Sequence, residues 1–358
     1  MIELINVSKR YKDKYVVKNL NLVFNDGEIS ILIGPSGCGK TTTLKMINRL
    51  IEPTEGDIKI DRKSIFDFDE ISLRRGIGYV IQEIGLFPHY TIFDNIALVP
   101  RLLGWDDEKI RKRVNELMEL INLPLSYLKR YPKELSGGEK QRVGVARALA
   151  GDPKILLMDE PFGAIDPINR KALQDFFIEL QKTLKKTVVF VTHDIMEAIK
   201  LGDRVFIMKD GELIQSDKPE NILLNPKDIF VEELLGSQRN LLRFTIKKIS
   251  EYIKKDFRFI NLNETEKIKF YNDQVFIVKD NEEIKGYILK IDIEKGRGCI
   301  RSPIFINENE NVLDTIVKIL SKGEKIAIVK CFERGIMGYV KIDDLLKVFE
   351  REEYELPN

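Results

Sequence analysis

Residues 34–42 constrain the chain more than any other stretch, because their sequence GPSGCGKTT fits the pattern G-x-x-x-x-G-K-[ST] of a phosphate-binding loop. Residues 28–33 before it predict a buried strand, and residues 42–49 predict the first turns of a helix. In that context the glycines allow backbone N–H groups and the helix N-terminus to surround a phosphate. The pattern therefore predicts an α/β protein with a nucleoside triphosphate site at this loop.

Two side chains of the loop have a direct part in the predicted site. Lys40 is placed to reach the β- and γ-phosphates, and the Thr41 hydroxyl is placed to ligate Mg²⁺. The predicted nucleotide contacts from this segment are Gly34, Ser36, Gly37, Cys38, Gly39, Lys40, Thr41 and Thr42.

The composition narrows the classes of protein that fit. The 358 residues suffice for two or three domains, and 43% hydrophobic with 32% charged residues are typical of a globular protein. The 58 Lys and Arg residues balance 57 Asp and Glu residues, so no basic excess indicates nucleic acid as a partner. Three scattered cysteines suit a reducing compartment. Without a leader or an apolar run of about 18 residues, we expect a cytoplasmic protein.

Polar residues follow several predicted strands. Gln82, the pair Asp159 and Glu160, and His193 each come directly after an apolar stretch. In an open α/β sheet, the carboxyl ends of the strands form the edge where ligands bind. Two adjacent carboxylates are costly there unless a cation and a proton-accepting task hold them, so we predict that one faces Mg²⁺ and the other a water. For Gln82 alone, a loop cap is the simpler interpretation.

From about residue 84 to residue 150 the pattern becomes helical. Ser136 and Glu139 form an S-x-x-E capping box at the start of one helix. Gly137 and Gly138 are poor helix formers in its first turn, and their bare N–H groups would make an anion site. The segment is either only a well-capped helix start or also a second phosphate contact.

Tyr11 lies in a predicted turn between two strands, among charged neighbours. Its ring either covers the edge of a hairpin or provides a flat surface on which an adenine base stacks. Spacing alone leaves both interpretations open.

In their order and spacing, these motifs resemble the full motif set of an ABC-transporter ATPase subunit over residues 1–236. The set is Tyr11, the loop 34–42, Gln82, residues 135–138, residues 156–160, residues 164–166 (Ala-Ile-Asp) and His193. The resemblance implies a P-loop ATPase core with an antiparallel β subdomain and an α-helical subdomain at about 84–150. Glu139 and Ile165 stand where the family more often has glutamine and leucine. Neither change removes a phosphate ligand, so we expect an active ATPase.

The resemblance also implies ATP and Mg²⁺ as ligands and a role for each motif residue. Glu160 is the general base, Gln82 contacts Mg²⁺ and the attacking water, and His193 contacts the γ-phosphate. Asp159 ligates Mg²⁺, and Tyr11 stacks on adenine. In a homodimer, Ser136, Gly137 and Gly138 contact the nucleotide of the other subunit, and Asp166 lies at the interface between the two subunits.

Residues 81–100 are similar to the same segment in importers of quaternary-ammonium osmolytes, such as glycine betaine, carnitine and choline. This resemblance implies an integral-membrane permease, a substrate-binding protein or domain, and a place on the inner face of the membrane. The segment's apolar residues either pack inside the helical subdomain or line a groove for a coupling helix of the permease. These residues are Leu86, Phe87, Ile92 and Phe93.

Three other classes of function stay open. One is the ATPase of an importer for another small solute, and another is a regulator that chiefly senses nucleotides. The third is a soluble ABC ATPase of DNA repair or translation. Repair ATPases usually insert a coiled coil between loop and signature, and translation ATPases usually carry two cassettes, whereas this chain has neither feature.

Residues 237–358 contain an internal repeat with a period of 52 residues, since Gly286-Tyr287 and Asp292 recur as Gly338-Tyr339 and Asp344. The halves resemble tandem CBS modules, at about 240–297 and 298–350, in a smaller α/β domain. This resemblance implies a regulatory region.

The ligand of the repeat region is less defined. Leu289 and Lys341 occupy positions where nucleotide-binding CBS motifs usually have Thr or Ser, so an adenine nucleotide or a cyclic dinucleotide is a hypothesis. For Asp292 and Asp344 we favour helix capping, with ribose binding as the alternative.

Overall fold

The computed structural model describes residues 1–82, 85–163, 165–236, 239–281, 283–295, 299–331 and 335–352. Residues 83 and 84 of the predicted helical and osmolyte-like segments, and Ala164 of the motif 164–166, lie outside the described residues. The chain divides into two compact units, Met1–Gly236 and Ser237–Asn358. Within the described ranges, no helix combines the length and the apolar composition that crossing a bilayer requires.

Two sheets form the first unit. The antiparallel sheet contains, in spatial order, β2 (Lys14–Phe24), β1 (Ile2–Tyr11), β4 (Glu55–Ile60) and β5 (Lys63–Ser64). The larger sheet contains, in spatial order, β10 (Glu212–Asp217), β9 (Arg204–Lys209), β3 (Ile29–Ile33), β8 (Thr187–Thr192), β7 (Ile155–Asp159) and β6 (Ile77–Val80).

The larger sheet is parallel except for β10 at its edge. Strands β3, β7 and β8 are buried at every residue, as central strands covered on both faces must be. Both sheets contribute to one core, and Phe24 of β2 contacts Phe206 of β9 edge-to-face at 5.0 Å between ring centroids. The residues that follow the parallel strands therefore meet at one edge.

The helices of the first unit confirm the predicted helical segment between the loop after β6 and β7. That segment contains α3, α4 and α5, with 3₁₀ turns at Leu125–Lys129 and Pro132–Glu134. The helices are α1 (Lys40–Ile47), α2 (Glu70–Arg75), α3 (Ile92–Leu102), α4 (Asp107–Leu120), α5 (Gly137–Leu149), α6 (Pro167–Leu184), α7 (Ile195–Leu201), α8 (Pro219–Leu224) and α9 (Ile229–Leu235).

Tyr11 differs from its prediction, because it ends strand β1 instead of lying in the turn. It pairs with Lys14 across a two-residue turn of Lys12 and Asp13. Lys12 has φ +52°, the left-handed conformation that such tight hairpins use.

The second unit contains the same three-stranded sheet twice. In each sheet a parallel pair is followed by an antiparallel hairpin. The strands are β11 (Phe257–Asn261), β12 (Val275–Asp280) and β13 (Glu283–Leu289), then β14 (Phe305–Asn307), β15 (Ile326–Cys331) and β16 (Gly335–Lys341). The helices are α10 (Arg239–Ile246), α11 (Lys290–Glu294), α12 (Val312–Ser321) and α13 (Ile342–Glu352), and a 3₁₀ segment occupies Leu262–Phe270.

The two repeats are linked crosswise. Tyr287 of the first repeat exchanges backbone hydrogen bonds with Arg301, which precedes β14 in the second repeat. Tyr339 of the second repeat exchanges them with Lys254, which precedes β11 in the first. Both rings are fully buried in one shared cluster. The sheet of each repeat is thus extended by the segment that leads into the sheet of the other.

The predicted capping role of Asp292 and Asp344 is wrong, because both residues lie inside the first helical turn. Asp292 accepts hydrogen bonds from Arg301 Nε at 3.0 Å and Nη2 at 2.9 Å, while Leu289 is the N-cap of α11. Asp344 pairs with Lys254 Nζ at 2.7 Å in the first turn of α13. A carboxylate in a first turn also interacts favourably with the helix dipole.

Candidate functional site

The phosphate-binding loop joins β3 to α1, as predicted, and close packing restricts two of its positions to glycine. Gly34 has φ +155°, and a Cβ placed there would lie 2.1 Å from the Met208 carbonyl oxygen. Gly39 has φ +101°, and its Cβ would lie 2.6 Å from the Val16 carbonyl oxygen. The backbone is thus free to approach a phosphate. Ser36 and Gly37 are exposed beside it, and Thr42 lies in α1.

Lys40 is folded against this loop. Its side chain is nearly buried, and Nζ donates to the carbonyl oxygens of Gly34 at 2.7 Å and Pro35 at 2.9 Å. The next neighbour of Nζ is Cys38 Sγ at 3.7 Å, and burial raises the pKa of that thiol. A neutral thiol is a weak acceptor, so a phosphate oxygen would bind this ammonium group much better.

Thr41 and Asp159 provide oxygen ligands beside the loop. The Thr41 hydroxyl donates to Asp159 Oδ1 at 2.9 Å. Asp159 is 5% exposed, and burial raises its pKa while the Thr41 hydrogen bond opposes the rise. Magnesium in proteins takes such oxygens, with water and substrate phosphates completing its shell. Across the described ranges, no three His, Cys, Asp or Glu side chains form a metal-binding group. These two residues therefore fit a Mg²⁺ site that a nucleotide completes.

Glu160 has different partners from its neighbour Asp159. Gln82 Nε2 donates to Glu160 Oε2 at 3.1 Å, and His193 Nδ1 lies 3.2 Å from the same oxygen. The Glu160 backbone has φ +43°, which costs about 1–2 kcal/mol in a residue other than glycine, and its N–H donates to Val191. The sheet thus brings together side chains from the ends of β6, β7 and β8. Glu160 is 20% exposed and within reach of a water.

The start of α5 carries the predicted capping box. Ser136 Oγ accepts from the Glu139 N–H at 3.4 Å, and Glu139 Oε2 accepts from Ser136 N at 2.7 Å and Oγ at 2.8 Å. These hydrogen bonds from Ser136 lower the pKa of Glu139. A Cβ at Gly137 would meet no atom within 4 Å, so this face is open. Ser136, Gly138 and Glu139 line a cavity of about 350 Å³.

Two further predicted residues lie on other segments. Tyr11, at the end of β1, is half exposed, and Lys9 Nζ lies 5.1 Å from its ring centroid. Asp166 precedes α6 and is exposed, and its carbonyl oxygen accepts from Arg170 N at 2.9 Å. Their roles depend on a bound nucleotide or on a second subunit, so they stay predictions.

Sequence reasoning missed the residues that shape the loop after Gln82. Asn95 is fully buried; its amide accepts from Phe87 N at 2.8 Å and donates to the carbonyl oxygens of Phe87, Tyr90 and Thr91. Arg147 Nη1 donates to the Gly85 carbonyl oxygen at 2.6 Å, and burial lowers the pKa of Arg147. The sequence does contain a signal for Asn95, because this polar residue occupies a position of the α3 pattern at which an apolar residue is expected.

The apolar residues after Gln82 differ in burial, and the coupling-helix groove stays a prediction. Ile92 is fully buried, whereas Phe87 is exposed. Phe87 lines a cavity of about 500 Å³ together with other apolar residues and with arginines, among them Ile71, Arg74, Tyr79, Leu98, Leu102 and Arg147.

Comparison with known proteins adds to this geometry. The family model described as "ABC transporter" matches residues 17–163. The choline transport ATP-binding protein OpuBA of Bacillus subtilis is 45% identical, with 97% of this chain and 96% of that protein covered. The osmoprotectant import ATP-binding protein OsmV of Salmonella typhimurium is 52% identical, with 69% of this chain and 66% of that protein covered.

Solved structures of ATP-binding cassettes also resemble this chain. The ATP-binding cassette MJ0796, in a dimeric post-hydrolysis state bound to ADP and Pi, is 38% identical and has a TM-score of 0.55. The match covers 61% of this chain and 99% of that chain.

Proposed function

Because the chain belongs to the family of ABC-transporter ATP-binding proteins, as its motifs predict, we propose that it powers import of a quaternary-ammonium osmolyte through a separate permease. The osmolyte is of the glycine betaine, carnitine, choline or proline type. The observation that carries this proposal is the 45% identity to choline and glycine betaine/carnitine/choline transport proteins over 97% of the chain.

The proposed ATPase mechanism follows from the side chains at the edge of the larger sheet. The loop 34–42 binds the phosphates, and Lys40 turns from the carbonyl oxygens of Gly34 and Pro35 to the β- and γ-phosphates. Glu160 accepts the proton of the attacking water, which the Gln82 amide orients, and His193 contacts the γ-phosphate beside that carboxylate.

Magnesium fits this mechanism as an accessory ion. Thr41, Asp159 and Gln82 would hold it, since each supplies an oxygen atom at the same edge of the sheet. When bound, Mg²⁺ offsets the negative charge that develops on the phosphate oxygens.

A homodimer is the proposed working form. The open face at Gly137 and the first-turn N–H groups of α5 suit a γ-phosphate of the partner subunit's nucleotide, with Ser136 and Gly138 beside it. Asp166 would lie at the seam and Tyr11 against adenine. A site divided between two chains closes only when both halves contact ATP, and this closure couples binding to motion.

Glu139→Gln is expected to strengthen ATP-dependent dimerisation about tenfold, because a carboxylate in the first turn of α5 repels the partner's phosphate by on the order of 1 kcal/mol. Glutamine keeps the capping box. The dimer fraction would be measured by sedimentation at increasing ATP, with Glu160 also replaced by Gln to prevent hydrolysis.

Glu134→Gln is the matched control, since Glu134 caps the Tyr131 N–H at 2.7 Å in a similar way, outside α5. Equal dimerisation of both variants would refute a like-charge role for Glu139.

The permease is proposed to dock at the 500 Å³ cavity beside Phe87. Its wall is apolar, its rim carries Arg74, Arg75 and Arg147, and it adjoins the loop that follows Gln82. A helix with an apolar face fits such a groove. The chain would then work on the inner face of the membrane, together with a substrate-binding protein or domain.

Uptake of labelled glycine betaine, carnitine and choline after a salt upshift tests the function, in cells with and without this gene. Loss of uptake of any of the three on deletion, restored by the wild-type gene, is the expected result. Unchanged uptake of all three would refute the proposed substrate class and leave the ATPase mechanism in place.

Leu102→Lys is expected to abolish restored uptake while ATP binding persists. Leu102 is 52% exposed in the groove, and a lysine at the last residue of α3 suits the helix dipole, so folding is spared. Leu50→Lys, at a position 48% exposed outside the groove, is the control. Full uptake with Leu102→Lys would place the permease elsewhere.

The second unit is proposed to be a tandem CBS-like regulatory domain, residues 237–358, that follows the ATPase domain, residues 1–236. The duplicated sheets support this proposal. An adenine nucleotide or cyclic dinucleotide that uses the Asp292 or Asp344 carboxylate must displace Arg301 or Lys254. Saturable binding of ATP or of a cyclic adenine dinucleotide to the full chain carrying Lys40→Ala would support such a ligand, and binding of neither would exclude it.

A further inference from the structure

A buried carboxylate that the proposed mechanism does not use lies behind the turn that carries His193. Glu197, on α7, is 5% exposed, whereas glutamate is seldom buried unless it is paired. Burial raises the pKa of Glu197, and the hydrogen bond from Thr192 opposes the rise. A buried polar group of this kind calls for an explanation.

Both oxygens of Glu197 accept hydrogen bonds. Thr192 Oγ1 donates to Oε2 at 2.6 Å, and Gln174 Nε2 donates to Oε1 at 3.3 Å. The Thr192 hydroxyl also accepts from Asp194 N at 3.0 Å. Because Thr192 and Asp194 flank His193, this hydroxyl closes the turn around the histidine.

The turn is short and fixed at both ends. β8 ends at Thr192, and Asp194 caps α7 by accepting from Met196 N at 2.8 Å. His193 is the single residue between these anchors. Glu160, Thr192, His193 and Glu197 line one small cavity.

A basic residue joins the same turn to the segment before α6. Arg170 Nη1 lies 3.9 Å from Asp194 Oδ2, and Nη2 donates to the Ile165 carbonyl oxygen at 3.0 Å. Residues of β8, α6 and α7 therefore all contact the turn that carries His193.

We propose that Glu197 is a positioning residue that acts through the Thr192 hydroxyl and holds the His193 imidazole at the Glu160 carboxylate. This inference rests on the roles proposed above for Glu160 and His193. A hydroxyl group rotates to suit its partners. The Glu197 carboxylate accepts the proton of the Thr192 hydroxyl, so a lone pair of that hydroxyl oxygen is free to accept from the Asp194 N–H. Without that acceptor, the turn and the ring move relative to the base.

Thr192→Val and Glu197→Met test this role, since each approximates the shape of its side chain and removes one partner of the Thr192–Glu197 hydrogen bond. We expect kcat for ATP hydrolysis to fall about tenfold to a hundredfold, because a small misplacement of a catalytic group has effects of that size. The KM for ATP is expected to change little, since the loop 34–42 and Lys40 supply the main contacts with the phosphates. Thr183→Val, at an exposed threonine of α6, is the control.

The same substitutions in a His193→Ala background separate positioning from general stability. A residue that acts through His193 has no further effect on kcat once the imidazole is gone. An equal fractional loss in both backgrounds would overturn the proposal. Wild-type turnover by His193→Ala alone would instead refute the role of His193.

An NMR measurement tests the positioning of His193 without measuring ATP hydrolysis. The chain has two histidines, His89 and His193, so ¹³C-labelled imidazole gives two signals, one of which is an internal reference. We expect Thr192→Val to shift the His193 signal and leave that of His89 in place. An unchanged His193 signal in folded Thr192→Val protein would refute positioning, and this variant serves if Glu197→Met does not fold.

Discussion

Glu160→Gln is expected to lower the rate of ATP hydrolysis about 10²–10⁴-fold while ATP binding is retained. Glutamine keeps the length of the side chain and a hydrogen-bonding oxygen, so the contacts with Gln82 and the turn after β7 persist. It has no basic carboxylate to take the proton of the attacking water. Asp159 has a different partner, the Thr41 hydroxyl, so we do not expect it to act as a substitute base.

Single-turnover hydrolysis and binding of a fluorescent ATP analogue would be measured on the same protein. Glu179→Gln, on the exposed face of α6, is the matched control and should be neutral. Hydrolysis near the wild-type rate in Glu160→Gln would remove Glu160 from the role of general base.

Lys40→Ala is expected to weaken ATP binding about 30- to 4,000-fold, the equivalent of about 2–5 kcal/mol for removing one partner of a buried charge pair. The ammonium group is the cation that the loop itself supplies, and it lies against the carbonyl oxygens of Gly34 and Pro35. Without it, the loop has no positive charge of its own to offset the charge of the phosphates.

Titration with ATP and Mg²⁺, followed by calorimetry, measures this change. Lys182→Ala is the control, because that exposed lysine pairs only with a neighbour on α6 in the described structure. A thermal melt without nucleotide separates loss of binding from loss of fold. Wild-type affinity in Lys40→Ala would mean that the loop 34–42 does not hold the phosphates.

The sequence predicts the part of this site that local chemistry dictates. The glycines of the loop and the polar residues after β6, β7 and β8 are visible because strand ends and turns have recognisable residue patterns. The capping box of Ser136 and Glu139 is likewise a local pattern and is present as predicted.

Features that depend on distant residues were not predictable in the same way. Asp344 pairs with Lys254, which is 90 residues earlier in the chain, and no local pattern reports such a contact. The prediction of a helix cap is wrong there because a carboxylate in the first turn interacts favourably with the helix dipole and also pairs with a basic residue that is distant in sequence. The hydrogen bonds of Glu197 and Asn95 were likewise not predictable, because the sequence does not show that these two side chains are buried.

The crosswise links of the second unit have a consequence for how this region folds. Neither duplicated half has all of its backbone partners without the other, because Lys254 of the first half pairs with Tyr339 of the second, and Arg301 of the second half pairs with Tyr287 of the first. A truncation between the halves would leave unpaired edges on the surviving one, which favours aggregation over a working half-domain. We therefore expect the two copies to unfold together, as one cooperative unit.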